Sequence, residues 1–350
     1  MEIHTQTGGV FVKKQQIDLS VPENYPAINA AMLYQQLDCM PELAVEAHDL
    51  LRGEHGGEIP GVSLTEESNE VATIHTVKIL NQQGSHIMQK PIGTYVTIFT
   101  EALMLNHHGV HETTANIVAE QLAPFFAQLS TKDSILVAGL GNWNATPDAL
   151  GPRVINKLMA TRHLHDNVPQ EVLEGVRPVA TITPGVLGMT GIESAELIAG
   201  IVKSIQPKLL IVIDALSAGN PERIGTTIQI SDTGIQPGAG VANPRATINA
   251  ETLGIPVISI GMPTVVKARL IAHQMLEQYQ QSLFEHLHDR RFPYYAQQAM
   301  ETALQHCQAN LEVTPKEIDD IISNCSTILS KAITQALHPN MNADFAECFF

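Results

Sequence analysis

The stretch SILVAGLGNWNATPDALGPR, residues 134–153, decides the fold of this chain. It begins with an apolar run at residues 135–140, passes through two glycines and a polar loop, and reaches the carboxylate of Asp148. A helical pattern follows at residues 154–159. A buried strand followed by a tight turn and a helix is the repeating unit of α/β proteins. The stretch therefore predicts an α/β fold.

Further apolar segments of the same kind lie on both sides of this stretch, with helical patterns between them. The predicted strands are residues 135–140, 179–183, 209–216, 226–231 and 256–261, and a further helix is predicted at residues 193–205. Near-continuous apolar strands that alternate with helices indicate a mainly parallel twisted sheet with helices on both faces.

The ends of the chain differ from this central pattern. Residues 1–42 have weak periodicity and are predicted to form an N-terminal pro-segment, whereas residues 43–350 are predicted to form one α/β domain. From about residue 266 that domain is predicted to be helical. The sequence TPKE at residues 314–317 has the pattern of a capping box, and it precedes a helix with one apolar face.

Composition excludes several classes of function. The chain has 350 residues, of which 44% are hydrophobic, and its formal net charge is −16. Such a chain is globular, and its charge argues against direct binding to nucleic acid, which requires Lys and Arg. Four cysteines without a CxxC pair suit a reducing cytosol. Because neither a signal peptide nor a membrane-spanning stretch is visible, we expect a cytoplasmic protein without a membrane partner.

The loop after the first central strand permits three interpretations. Its glycines resemble a dinucleotide-binding turn, but Asn144 stands where GxGxxG requires the third glycine. Asp148 could instead only stabilise a helix N-terminus. In the third interpretation, the turn delivers Asn142, Asn144 and Asp148 to the crevice at the carboxyl edge of the sheet, where α/β proteins bind ligands.

A second carboxylate favours the third interpretation. Asp214 interrupts the apolar strand at residues 209–216 near its carboxyl end. A buried carboxylate is costly, and in a parallel sheet Asp148 and Asp214 would lie at the same edge. Two close carboxylates share a proton, so one can accept a proton from water while the other donates one. This arrangement suits hydrolysis of a peptide bond.

Other polar residues were considered for the same site. Asp232, in the tripeptide DTG, follows a strand and precedes a turn-rich loop, so it is predicted to support the cleft. The histidines at residues 107–111 lack metal-site spacing and are expected to form a solvated loop, so no metal site is predicted. Lys90 is expected to be a solvated surface lysine.

Several long blocks resemble the germination protease family. They are GLGNWNATPDALGPR at 139–153, TPGVLGMTGIES at 183–194, VIDAL at 212–216, TTIQISDTGIQPGAGV at 226–241 and ETLGIPVISIGMPTVV at 251–266, with KPIGTY at 90–95 and VTPKEID at 313–319. The resemblance covers nearly everything after Leu43. It implies a fold related to the hydrogenase-maturation endopeptidases, a homotetramer, no cofactor, and catalysis by Asp148 and Asp214.

The same resemblance implies a biological role and a processing site. Members of the family degrade small acid-soluble spore proteins in the spore core during germination, cleaving after an acidic residue that precedes a large apolar residue and alanine. They are zymogens that remove their own pro-segment at a similar sequence. Here Glu42-Leu43-Ala44 has that pattern, although Pro41 departs from the threonine usual in the family. The mature chain is therefore expected to begin at Leu43.

Two other functions stay open at this stage. One is a metal-dependent endopeptidase of the hydrogenase-maturation type, whose activity a chelator would abolish. The other is an α/β binding module without catalytic activity, which would cleave no peptide.

Overall fold

The computed structural model describes residues 41–52, 57–105, 107–169, 171–238, 245–287, 311–339 and 341. The predicted pro-segment, residues 1–42, lies outside these ranges except for Pro41 and Glu42.

One mixed sheet contains all the strands of the described ranges. They are β1 (Val62–Ser68), β2 (Thr73–Ile79), β3 (Gly93–Phe99), β4 (Ile135–Gly139), β5 (Val179–Ile182), β6 (Leu209–Ala218), β7 (Thr227–Ser231), β8 (Val257–Lys267) and β9 (Glu312–Val313). Their order is β1-β2-β3-β7-β8-β6-β4-β5, and β9 pairs with β8. Strands β8, β6, β4 and β5 run parallel to one another, whereas the remaining pairs are antiparallel.

Helices precede, connect and follow these strands. In the described residues they are α1 (Ala44–Arg52), α2 (Gln82–Met88), α3 (His108–Leu122), α4 (Leu150–Ile155), α5 (Leu187–Thr190), α6 (Ser194–Ile205), α7 (Ala250–Leu253), α8 (Ala268–Leu287) and α9 (Ile318–Leu337). None of the helices in the described part of the chain is long and apolar enough to cross a bilayer.

The central strands are buried on both faces. In β6, Leu209 and Ile211 belong to the hydrophobic cluster that includes residues of α3 and α9. The alternate residues Leu210 and Val212 pack on the opposite face, in a cluster with Ile198 of α6. Each fully buried side chain of this size contributes about 1.5–3 kcal/mol of hydrophobic stabilisation. The apolar run in the sequence thus reflects a strand between two layers of helix.

The α/β class and the helices on both faces are confirmed, and each predicted strand has a counterpart. The parallel arrangement holds for the half of the sheet that contains β4 and β6. The other half is antiparallel: β1, β2 and β3 follow one another along the chain, with partners such as Val62 and Ile79 directly opposed, and β7 joins β3 to β8. These three strands were absent from the prediction.

The last helix differs from its prediction only at its start. Its apolar face is buried, but the capping box does not form, so that detail was wrong. The helix begins at Ile318, and the N-cap residue Glu317 makes no side-chain cap hydrogen bond. The hydroxyl of Thr314 instead donates to the carbonyl oxygen of Thr264 in β8. This bond joins the start of the helix to the sheet.

Candidate active site

The sheet order reverses between β4 and β6. From β4 the chain continues to β5 at one edge, whereas β6 is followed by strands on its other side. Loops leaving the carboxyl ends of two such strands diverge, and the crevice between them is the usual ligand site of open α/β sheets. Asp148 follows β4, and Asp214 lies in β6 directly after Ile213, the residue that pairs with the last residue of β4, Gly139. Both therefore reach this crevice.

The loop that carries Asp148 is held closed by local hydrogen bonds. The backbone N–H of Asn142 donates to the Asp148 carbonyl oxygen at 3.0 Å and to its Oδ2 at 2.9 Å. Gly141, with φ of +110°, makes the turn, and a Cβ there would overlap the Asp148 carbonyl oxygen. The side chain of Asn142 accepts a hydrogen bond from the Asn144 N–H. The glycine and the two asparagines thus fix the position of Asp148.

Asp214 is buried and close enough to Asp148 for their charges to interact. Its Oδ1 accepts a hydrogen bond from the Ala215 N–H at 2.9 Å. Burial raises the pKa of Asp214 well above its usual value, and the charges of Asp148 and Glu42 raise it further. Asp214 therefore favours its protonated form.

Asp148 is half-buried and better able to ionise. Burial raises its pKa and the charge of Glu312 adds to this effect, whereas the hydrogen bond from Asn142 opposes it. The two aspartates thus have different environments, and Asp214 is the one whose pKa is raised well above the usual value. This difference favours the charge on Asp148 and the proton on Asp214.

Both aspartates line an open crevice of about 370 Å³, and Glu42 lies in it. Other lining groups include the acidic Glu312 and the ion pair in which Arg245 Nη1 lies 3.3 Å from Glu193 Oε1. Glu42 also lines a second crevice. The last residue of the predicted pro-segment therefore lies where the two crevices meet.

Both ends of Glu42 are held. Its Oε2 accepts a hydrogen bond from the Ser217 N–H at 2.6 Å. Its backbone carbonyl oxygen accepts one from Lys90 Nζ at 2.8 Å and another from Gln229 Nε2 at 3.4 Å. Its carboxylate and its peptide carbonyl are thus both recognised by the protein.

The two residues after Glu42, Leu43 and Ala44, are both fully buried. The side chain of Leu43 packs with Leu216 and Ile235, and no part of Leu43 is exposed. Ala44 is equally buried, and its N–H donates to Gln229 Oε1 at 2.7 Å. In the chain, the acidic residue of the crevice is thus followed by a fully buried large apolar residue and a fully buried alanine.

The remaining predicted site residues lie elsewhere. Asp232 is exposed, and its Oδ1 accepts a hydrogen bond from the Thr94 N–H at 2.8 Å, outside both crevices. Asn142 and Asn144 belong to the loop behind Asp148 and do not line the crevice. The loop expected around residues 107–111 is wrong, because α3 begins there. His111 is buried and its Nε2 lies 2.6 Å from the Leu105 carbonyl oxygen.

Of these histidines, His111 takes part in packing and His107 is exposed. In the ranges that the structure describes, no group of three or more His, Cys, Asp or Glu side chains is placed to hold a metal ion.

Lys90 and Gln229 are the contacts that the sequence interpretation missed. Lys90 is only half-exposed, and its ammonium group donates a hydrogen bond to the Glu42 carbonyl oxygen. The expectation of a solvated lysine is therefore wrong. Gln229 was visible as a polar residue within the buried strand β7, and a side chain of that kind needs hydrogen-bond partners. Its partners, however, lie 185 and 187 residues away, which no local pattern reveals.

Comparison with known proteins gives consistent matches over most of the chain. A family profile described as germination protease matches residues 42–293. The chain is 44% identical to a germination protease from Caldanaerobacter subterraneus over 309 residues, covering 86% of this chain and 94% of that one. It is 42% identical to a germination protease from Clostridium perfringens over 311 residues, with coverages of 86% and 95%.

A solved structure matches more remotely. It is a nickel–iron hydrogenase maturation protease from Thermococcus kodakarensis, with 18% identity and a TM-score of 0.27. The match covers 53% of this chain and 97% of that chain.

Proposed function

The chain belongs to the germination protease family, and from that premise we propose that this peptidase is a zymogen that processes itself between Glu42 and Leu43. The mature enzyme then cleaves small acid-soluble spore proteins after an acidic residue during germination. Its catalytic groups are Asp148 and Asp214.

One observation carries this proposal: the chain's own Glu42 lies in the crevice with both aspartates. The next two residues, Leu43 and Ala44, match the large apolar residue and alanine expected in substrates, and both are fully buried. The segment is held at the Glu42 carboxylate, the Glu42 carbonyl and the N–H of Ala44, and these are the contacts of a bound substrate. Burial of Leu43 against Leu216 also explains a preference for a large apolar residue after the cleaved bond.

The two aspartates supply the proton transfers. Ionised Asp148 takes a proton from water, and the water oxygen bonds to the carbonyl carbon of Glu42. The bond between that carbon and the nitrogen of Leu43 then breaks, and the nitrogen receives the proton of Asp214. The products are a carboxyl group on Glu42 and an amine on Leu43. A proton returns from Asp148 to Asp214, which restores the pair.

Substitution of the aspartates tests the proposed pair. Asp148→Asn and Asp214→Asn should each reduce cleavage by about 10³-fold or more, because each removes one member of the proton-sharing pair. The exposed Asp166→Asn is the matched control, and Asp232→Asn should have a smaller effect. Cleavage of a peptide containing Glu-Leu-Ala is measured by mass spectrometry, with circular dichroism as a check on folding. Near-wild-type turnover in either of the first two variants contradicts the assignment.

The processing site has its own test. Intact mass and N-terminal sequencing should give a mature chain that begins at Leu43. Glu42→Gln should slow processing about tenfold or more, because a hydrogen bond to a charged group contributes about 1.5–3 kcal/mol. The buried but neutral substitution Val45→Ile is the control. A mature chain that begins well away from Leu43 rules out this site and leaves the peptidase activity standing.

A further inference from the structure

We propose that Lys90 and Gln229 stabilise the oxyanion that forms on the carbonyl oxygen of the residue before the cleaved bond. This inference rests on the proposed function, because it takes the bond between Glu42 and Leu43 as a cleaved bond. When water attacks that carbonyl carbon, an electron pair of the C=O bond moves onto the oxygen. It returns when the bond to nitrogen breaks. Two hydrogen-bond donors fixed on this oxygen lower the free energy of the tetrahedral intermediate, in which the oxygen carries a negative charge.

The geometry supplies both donors. Lys90 Nζ lies 2.8 Å from the Glu42 carbonyl oxygen, within the 2.7–3.1 Å typical of oxyanion donors. Gln229 Nε2 lies 3.4 Å from the same oxygen. This longer hydrogen bond has room to shorten as negative charge develops on the oxygen. One cationic and one neutral donor thus converge on a single peptide oxygen.

The side chain of Gln229 also fixes the orientation of the peptide. Its Oε1 accepts the N–H of Ala44 at 2.7 Å, while its Nε2 donates to the Glu42 carbonyl. The amide therefore spans the bond between Glu42 and Leu43 and contacts the backbone on both sides of it. Such contacts depend on the backbone and can be repeated by any peptide in the same crevice.

Lys90 is held in place by its neighbours. Its N–H donates to the Ser85 carbonyl oxygen, and the Ser85 hydroxyl donates to the carbonyl of Lys90. The preceding residue, Gln89, has a left-handed backbone with φ of 51°, which is unfavourable by about 1 kcal/mol or more for a residue other than glycine. Gln89 is the C-cap of α2, a position where left-handed residues commonly end helices. The turn therefore presents Lys90 to the second crevice, where Glu42 lies.

The environment of Lys90 supports the same role. Burial lowers its pKa to about 8, and the nearby charges of Glu42 and Glu46 oppose that shift. Tyr95 also lines the second crevice, and burial raises the pKa of Tyr95 to about 12. Lys90 is thus mostly protonated at neutral pH, in surroundings where its charge is poorly screened by water.

A simpler role for Lys90 is to clamp the uncleaved segment, and the two roles predict opposite effects on processing. A clamp stabilises the ground state, so its removal leaves the rate unchanged or increases it. An oxyanion donor stabilises the transition state more than the ground state, so its removal slows the reaction. The rate at which the full-length chain processes itself therefore distinguishes them.

The experiment follows self-processing of the full-length chain by intact mass. Lys90→Met should slow the first-order rate by about 10²–10³-fold, as loss of one oxyanion donor does elsewhere, and Gln229→Met should slow it by about tenfold. Lys157→Met is the matched control, because the Lys157 ammonium group also makes hydrogen bonds, to Ser323, Ser326 and Thr327 of α9.

A pH profile adds a readout that a structural role would not move. The processing rate of the unsubstituted chain should fall as pH rises through about 8, because Lys90 loses its proton there. Lys90→Arg keeps the charge at all accessible pH values, so its remaining activity should lack the part of this decline that loss of the Lys90 proton causes. This variant also serves if Lys90→Met fails to fold.

The outcomes separate this inference from the proposed function. Processing of Lys90→Met at the unsubstituted rate or faster, with Asp214→Asn inactive, overturns the role of Lys90 and leaves the aspartate pair standing. Activity in Asp214→Asn contradicts the proposed catalytic pair instead. Slow processing in Lys90→Met together with loss of the decline in Lys90→Arg supports the oxyanion role.

Discussion

The buried carboxylate of Glu46 should make the stability of the uncleaved chain depend on pH. Glu46 lies in the first turn of α1, close to the proposed processing site, and is only 9% exposed. Its oxygens accept hydrogen bonds from the N–H groups of Gly219 at 2.9 Å and Asn220 at 2.8 Å. Burial raises its pKa from 4.5 to about 6, although these two hydrogen bonds oppose the shift.

The sign and size of the effect follow from that pKa. Because the folded chain binds this proton more tightly than the unfolded chain, the contribution of Glu46 to stability is fully present below about pH 4.5. It is lost as the pH rises to about 6. A change of about 1.5 pH units in proton affinity corresponds to about 2 kcal/mol, at about 1.4 kcal/mol for each tenfold step. Glu46→Gln removes this ionisation. Between about pH 4 and pH 7, the unsubstituted chain should therefore lose about 2 kcal/mol more stability than the variant.

Urea unfolding at several pH values measures the difference. Both chains carry Asp148→Asn to prevent processing, and the free energy of unfolding is obtained by linear extrapolation. If the amide of Glu46→Gln makes weaker hydrogen bonds, the free energy of unfolding changes by the same amount at every pH. Only the slope of the free energy of unfolding against pH therefore reports the ionisation of the carboxyl group. Glu67→Gln, on an exposed strand position, is the control. Equal slopes for Glu46→Gln and the unsubstituted chain would refute the reasoning.

Three further predictions concern the loop, the buried thiol and the surface charge. Gly141→Ala should destabilise the fold by about 1–3 kcal/mol and displace Asp148, because it places a side chain at φ of +110° against a carbonyl oxygen. Gly200→Ala, in a helix with open space, should stabilise by about 0.5–1 kcal/mol, and urea unfolding compares the two. Cys325 is fully buried, and burial raises its pKa. The native chain and the native Cys325→Ala variant should therefore react equally with a thiol reagent, whereas the same two chains should differ by one reactive thiol when unfolded. The net charge of −16 should prevent binding to duplex DNA at physiological salt, and a salt-sensitive complex in a gel-shift assay would contradict this.

The central part of the fold was predictable because its sequence signal is local. A strand such as β6, buried by helices on both faces, has a continuous apolar run, and five such runs specify the strands around the crevice. The antiparallel strands gave a weaker signal. In β1 four of the seven residues are exposed, so its sequence, VSLTEES, lacks an apolar run. Its identity as a strand depends on pairing with β2, which is a tertiary contact.

The site divides in the same way. Asp148 and Asp214 could be placed together because parallel strands end at one edge of the sheet, so position along each strand determines position in the crevice. Lys90 belongs to the antiparallel half of the sheet and is separated from Glu42 by 48 residues of sequence. The contact between them is a tertiary contact, so no local sequence pattern reveals it. The histidines around residue 107 were misjudged for a related reason. The glycine in that segment suggested a loop, but a hydrogen bond between His111 and Leu105 stabilises the start of α3.

The position of Glu42 couples the uncleaved segment to the proton on Asp214. The charge of Glu42 is one cause of the raised pKa of Asp214, after burial and the charge of Asp148. By linkage, docking of Glu42 strengthens proton binding at Asp214, and a proton on Asp214 strengthens docking of Glu42 by the same factor. Docking is therefore favoured as the pH falls through the raised pKa of Asp214 and weakened as the pH rises.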